Sequence, residues 1–209
     1  KKMSIYQHTL FEEDEAIFVN DYKIRPIQYR ECLPFILELH YAKRVPSVIK
    51  YIYGLFHEKE LVGIITYGMP ASNFLCEGVA GVENKEKVLE LSRLVLKNNK
   101  KNEASILISA SLKLLPQPKI IVSYADTEQN HLGVVYQATN FIFTGTTKER
   151  TDMAGTEGKH ARHNLGDVEK RIKRSAKHRY IYIVANKKDK KTLLKQLNYK
   201  EKKYPKNFN

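Results

Sequence analysis

The segment 123–145, SYADTEQNHLGVVYQATNFIFTG, gathers polar side chains between two apolar runs. Asp126 ends the run KIIVSYAD, which reads as a buried strand, and so lies at the strand's carboxyl end, where open α/β sheets place ligands. A carboxylate there suits acid–base chemistry; as an N-cap it instead bonds the first amides of the following helix, and both roles hold together if it faces a cleft. TEQNHLGVVYQATN is expected as a helix of about three turns with Leu132, Gly133 and Tyr136 on one face. Glycine costs about 1 kcal/mol in a helix interior, so Gly133 points to close approach by another backbone or a ligand. Tyr136 beside it offers a phenol as proton donor, or is an ordinary core tyrosine. On that helix His131 lies about 140° from Tyr136 and faces elsewhere.

Arg93 stands among apolar neighbours in the alternating run VLELSRLVL, where an unpaired charge is expensive. It calls for Glu90, another carboxylate or an anionic ligand. His40 closes the first helical region as a base, a metal ligand or an exposed helix-end imidazole. Asn102 is expected to cap the helix EASILISASLKLL, whose first-turn amides at Glu103, Ala104 and Ser105 can hold a phosphate, with the Ser105 hydroxyl added. Any capped helix shares that property. KHARH offers His160 and His163 without a third metal ligand in view. Cys32 and Cys76 form no paired motif and read as core thiols in a reducing compartment.

Charge is distributed unevenly. Residues 1–147 hold 17 Lys/Arg against 16 Asp/Glu, while 148–209 hold 19 against 7, so almost all of the net +13 lies in the last third. That is the footprint of a polyanion partner, or of a solvated basic face. Within it, RIKRSAKHRY places Arg171, Lys173, Arg174, Lys177 and Arg179 beside Tyr180, a combination suited to phosphate contact with base stacking, and KKYPKN repeats it.

The elements that must position these residues follow from hydrophobic period. A strand is expected over 22–27, then a helix over 28–41 that Pro34 kinks or restarts, then a hairpin over 51–68 turning at HEKE. The glycines of GMPASN and EGVAGVENKEK predict a long irregular connection into the strand 88–96, followed by a helix over 103–115, the strand ending at Asp126, the helix with Tyr136 and the strand FIFTGT. Residues 148–177 read as a long excursion before the strand HRYIYIVA and the helix KKTLLKQL. The order is that of an α/β chain with an antiparallel start and βαβ crossovers in its second half. One domain over 1–209 is expected, with a basic segment about 148–209. No apolar run approaches ~18 residues, so no membrane partner is expected and the cytoplasm is the expected compartment.

ELSRLVL, SYAD followed by GVVYQATNFIFTG, KHRY and YPK together resemble the Mom family of bacteriophage DNA-modification proteins, over about residues 25–206. The resemblance implies a fold like the GCN5-related N-acetyltransferases, a mixed sheet flanked by helices with acetyl-CoA between splayed strands and a basic C-terminal extension. It implies a carbamoylmethyl-type modification of the exocyclic amine of adenine in duplex DNA, shielding phage DNA from host restriction in the bacterial cytoplasm. By matching motifs it marks Arg93, Ser105, Asp126, Tyr136 and His40 as active-site residues. It associates the family with iron, for which His40, Asp126 and Tyr136 would be ligands; apart from the resemblance, a homodimer is one of the partners to test. KNNKKNEAS departs from the glycine-rich pyrophosphate loop of acetyltransferases, leaving Asn102, Glu103, Ala104 and Ser105 to hold the cofactor. The alternatives are an N-acetyltransferase acting on a protein, tRNA or small amine, and a non-catalytic DNA-binding protein that keeps the fold.

Overall fold

The computed structural model describes residues 15–40, 43–46, 48–70, 72–153 and 171–206. His160 and His163 lie outside the described residues. Eight strands form one sheet in the order β1 (Ile17–Val19), β2 (Tyr22–Pro26), β3 (Ile49–His57), β4 (Glu60–Gly68), β5 (Val88–Leu96), β6 (Lys119–Asp126), β10 (Lys177–Val184), β7 (Ile142–Thr146). Every neighbouring pair is antiparallel except β5 and β6, which run parallel through the crossover helix α3 (Glu103–Leu114). A second crossover carries α4 (Val134–Ala138) from β6 to β7, and β10 inserts between those two strands. The expected antiparallel start and βαβ second half are both present.

Three apolar clusters hold the layers together. On one face α3 lays Leu107 and Ile108 over Leu91, Ile121, Phe141 and Tyr180. On the other, α2 (Asn73–Ala80) and α5 (Lys187–Gln196) bury Val79 and Leu193 over Ile120, Val122 and Ile181. On that same face, α1 (Tyr29–Pro34) and the π-helical turn Phe35–Leu39 pack Cys32 and Ile36 against Ile64 and Val95. Pro34 marks the change from α to π geometry, because its missing N–H cannot close the regular helical ladder.

Four expectations change. Residues 73–80 are helical rather than irregular, since Cys76, Val79 and Ala80 recur at helical spacing and bury. The excursion after β7 contains a two-stranded ribbon, β8 (Arg150–Met153) against β9 (Arg171–Arg174). The helix expected after Asp126 is broken: a short 3₁₀ turn (Thr127–Gln129) ends at Asn130 with φ 53°, and α4 begins only after Gly133 with φ 73°. Finally, β5 does not alternate throughout, because a bulge at Ser92 lets two residues of β5 face one of β4. No helix among the described residues is long and apolar enough to cross a membrane.

Candidate active site

β5 and β6 pair only from Val88↔Ile120 to Glu90↔Val122 and then part, β5 continuing with β4 as far as Leu96 and β6 with β10 as far as Asp126. The parting opens a cleft of about 660 Å³. Its β5 wall runs from Leu91 to Leu96, a strand edge that β6 has left, and such an edge can pair with an extended chain bearing amides. The bulge at Ser92 also turns Arg93 onto the face of Val95, toward the end of α1.

His40, Asp126 and Tyr136, far apart in sequence, line this one cleft. Arg93 lines it too, its guanidinium donating to the carbonyls of Ser92 and Arg44, each at 2.6 Å. Burial, and then the Arg93 charge, push the His40 imidazole down to about 4, so it is neutral at pH 7. Glu90, at the fork of the two strands, moves the other way: burial raises its carboxyl while Arg93 and Lys177 oppose the rise.

Asp126 fulfils both roles open to it. One oxygen accepts the Glu128 amide at 3.0 Å, capping the short turn, and the Ser175 hydroxyl at 2.6 Å. The other lies 3.4 Å from Lys177 Nζ. Burial works to raise the carboxyl, but Ser175, the Glu128 amide and Lys177 outweigh it and hold it below its ordinary range. It is therefore ionised at neutral pH.

Gly133 is not in a helix interior, and the reason for a glycine is different from the one expected. At φ 73° it starts α4, and a Cβ there would lie 2.4 Å from the Tyr180 ring. Tyr136 packs its ring 5.4 Å from those of Phe141 and Tyr180 while reaching the cleft, so it is at once a core and a cleft residue. His131, expected to face away, lines the same cleft, because the break at Asn130 and Gly133 removes the helical phase that separated it from Tyr136. Residues flanking two left-handed positions cannot be placed by counting 100° per residue.

At the other end of the cleft lies the start of α3. Asn102 occupies the cap position at φ 69° without a side-chain capping bond, and the Ser105 hydroxyl donates to the Asn102 carbonyl at 3.0 Å. Ala104 lines the cleft. The expectation for Glu103 fails: its amide donates to Lys100 O, and its buried carboxylate accepts from Tyr22 and from the Lys100 amide. The first-turn amides of Ala104 and Ser105 have no intrahelical acceptor by position, which leaves them for an anion.

The iron expectation does not fit. The described residues contain no group of three His, Cys, Asp or Glu able to hold a metal, and a cation at Asp126 would have to displace Lys177.

The basic run 171–180 is not one exposed patch. Tyr180 cannot stack on a base, because its ring is fully buried and its hydroxyl donates to Leu132 O and accepts from Gln137. The Arg179 guanidinium lies 3.3 Å over the Tyr199 ring and donates to Thr144, so it too is removed from a docking surface. Lys177 faces Asp126 and Lys173 pairs with Glu149 at 2.8 Å. Arg171 and Arg174 lie on the ribbon strand β9.

The Mom protein family model matches residues 21–206. The methylcarbamoylase Mom of Escherichia phage Mu is 30% identical over 112 residues, a match covering 51% of this chain and 46% of that protein, so the aligned part spans about half of the relative's length. Among solved structures, a probable acetyltransferase from Staphylococcus epidermidis is 12% identical with a TM-score of 0.49, covering 78% of this chain and 98% of that one. A Bacillus subtilis acetyltransferase in complex with CoA is 16% identical with a TM-score of 0.45, covering 77% and 97%. These structural likenesses are too distant to assign residues. With a mixed sheet, a splayed parallel pair and a family match over nearly all the described residues, the chain belongs to the Mom protein family.

Proposed function

We propose that this protein modifies the exocyclic amine of adenine in duplex DNA with an acyl-type group drawn from acetyl-CoA, a modification that protects phage DNA from restriction. The observation that carries the reading is the convergence of His40, Asp126 and Tyr136 on one cleft that ends at the open amides of α3. The phage Mu relative is named as a methylcarbamoylase, which supports a transferase.

In this reading, Ala104 and Ser105 amides, with the helix dipole behind them, take the CoA pyrophosphate, and the free edge of β5 takes the amide-bearing arm. Acetyl-CoA held by these residues would supply an activated acyl carbon for the amine to attack. An adenine amine is a weak nucleophile and must lose a proton as it reacts, so a neutral His40 and an ionised Asp126 are the bases at hand. Tyr136 supplies a phenol to the departing thiolate. Because an amine inside a duplex is out of reach, the target base must be flipped into the cleft.

Mass spectrometry of nucleosides from cells expressing the protein tests this. A modified deoxyadenosine is expected with the parent chain and is lost with Asp126→Ala and with Tyr136→Phe. Unmodified adenine throughout, with acetyl transfer to a small amine or peptide in vitro, overturns the DNA reading in favour of an ordinary N-acetyltransferase.

A further inference from the structure

Within the run 171–180, Tyr180 is buried, Arg179 is stacked on Tyr199, and Lys173 and Lys177 face carboxylates, which directs attention to the positive charge carried elsewhere. Lys187, Lys188, Lys191 and Lys195 of α5 are all exposed, and among the described residues no carboxylate lies within ion-pair distance of them. Asp189, the acid on this helix, is turned to Asn186, which donates to it at 2.7 Å. Lys187, Lys191 and Lys195 are four residues apart and so stack on one helix face about 6 Å apart along the axis.

Like charges at that spacing repel and weaken a helix, so the stripe does not serve the fold. Burial of Leu193 and Leu197 does that work from the opposite side of the helix. A local rule broken at the surface without a compensating contact marks a functional position.

The place of α5 fits a substrate surface. It covers the sheet face on which the π-helical turn ending at His40 packs and onto which Arg93 of β5 turns, and α3 covers the other. From its C-terminal end the chain passes to Tyr199, under Arg179 and packed in the same cluster as Tyr124, whose side chain lines the cleft. The cofactor's pyrophosphate end and the lysine stripe thus lie on opposite faces of the sheet, with the cleft between them.

We propose that the lysine stripe of α5, Lys187, Lys188, Lys191 and Lys195, is the principal contact with the phosphate backbone of duplex DNA, and that the duplex lies along this helix while its target base enters the cleft. This rests on the DNA-modification reading. Duplex DNA carries one negative charge per ≈ 1.7 Å of axis, dense enough for every lysine in the stripe to find a phosphate.

The test is fluorescence anisotropy of the full chain with a fluorescein-labelled 20-bp duplex from ~50 to ~200 mM salt. With all four lysines changed to Gln, the slope of log affinity against log salt is expected to fall in magnitude by about 2 to 4, at roughly 0.9 per phosphate contact. The four-fold Lys→Arg variant keeps the parent slope, and the Gln variant melts no lower than the parent. An unchanged slope in a folded Gln variant overturns the assignment to α5 while leaving DNA as substrate. Equal competition by single-stranded RNA of the same length overturns the assignment to a duplex. A parent chain that binds no duplex at ~50 mM salt sinks both this proposal and the DNA reading beneath it.

Discussion

From the end of β6 to α4, Asp126, His131 and Tyr136 line one cavity, whereas in the neighbouring run 171–180 Lys173, Lys177 and Arg179 face partners within the protein itself. The two regions hold each other: Ser175 donates to Asp126, Thr127 donates to Ala176 O through both its amide, at 3.2 Å, and its hydroxyl, at 2.7 Å, and the Tyr180 hydroxyl donates to Leu132 O. The cleft loop has few apolar residues and is held by bonds from its neighbours; the basic run has an aromatic centre and holds others in place. A dense charge run in a sequence therefore says what a segment contains, not what it leaves available.

The largest expected effect sharpens that contrast. Tyr180→Ala empties a fully buried site in the main core, and removing a large aromatic side chain from a core costs about 3–5 kcal/mol. Urea denaturation should show that loss for the Ala variant. A stacking residue on a DNA surface would instead leave the unfolding midpoint unchanged and weaken only binding.

Gly133→Ala comes next. The left-handed backbone at φ 73° and a Cβ 2.4 Å from the Tyr180 ring each resist the new methyl, and strain of this kind costs on the order of 1–3 kcal/mol. Because the same substitution displaces the turn between His131 and Tyr136, modification of DNA should fall further than stability does. Equal stability of the variant and the parent in urea would show that the turn has no need of glycine.

Much of the scaffold was legible because hydrophobic period is local. The ends of β5 and β6 coincide with the apolar runs that define them, and α3 is one residue shorter than expected. The bulge also left a trace: Leu89 and Leu91 share one parity and Leu94 and Leu96 the other, a phase change that a strict two-residue alternation passes over. The splay was not legible, since it depends on β10 pairing with β6 over eight residues while β5 keeps β4. That competition is set by long-range partners, which pattern does not encode. His40, Asp126 and Tyr136 stood out by residue type and position with a bland reading beside each, the motif resemblance tipped them toward a site, and His131 was missed because two left-handed residues interrupted an apparently helical stretch. Tyr180 had a signal of its own: YIYIVA is apolar on both parities, the mark of a strand covered on both faces, and its two parities do enter the two opposite cores.

The smallest effect concerns the electrostatic wall of the cleft, and its sign can be worked out. With the folded-state value at about 4 against an ordinary 6.5, His40 binds a proton less readily folded than unfolded. Its share of stability is then complete above about 6.5 and is lost as pH falls toward 4. Burial is the larger cause and Arg93 the smaller, so Arg93→Gln should raise the His40 midpoint in an NMR titration while leaving it below 6.5. The acid limb of DNA modification should move up with it if neutral His40 takes part in the reaction. A midpoint that stays at about 4 would assign the whole depression to burial, remove Arg93 and His40 from a shared electrostatic role and leave Asp126 as the base on that wall, whereas a midpoint that returns to 6.5 would make the Arg93 charge, and not burial, the larger cause.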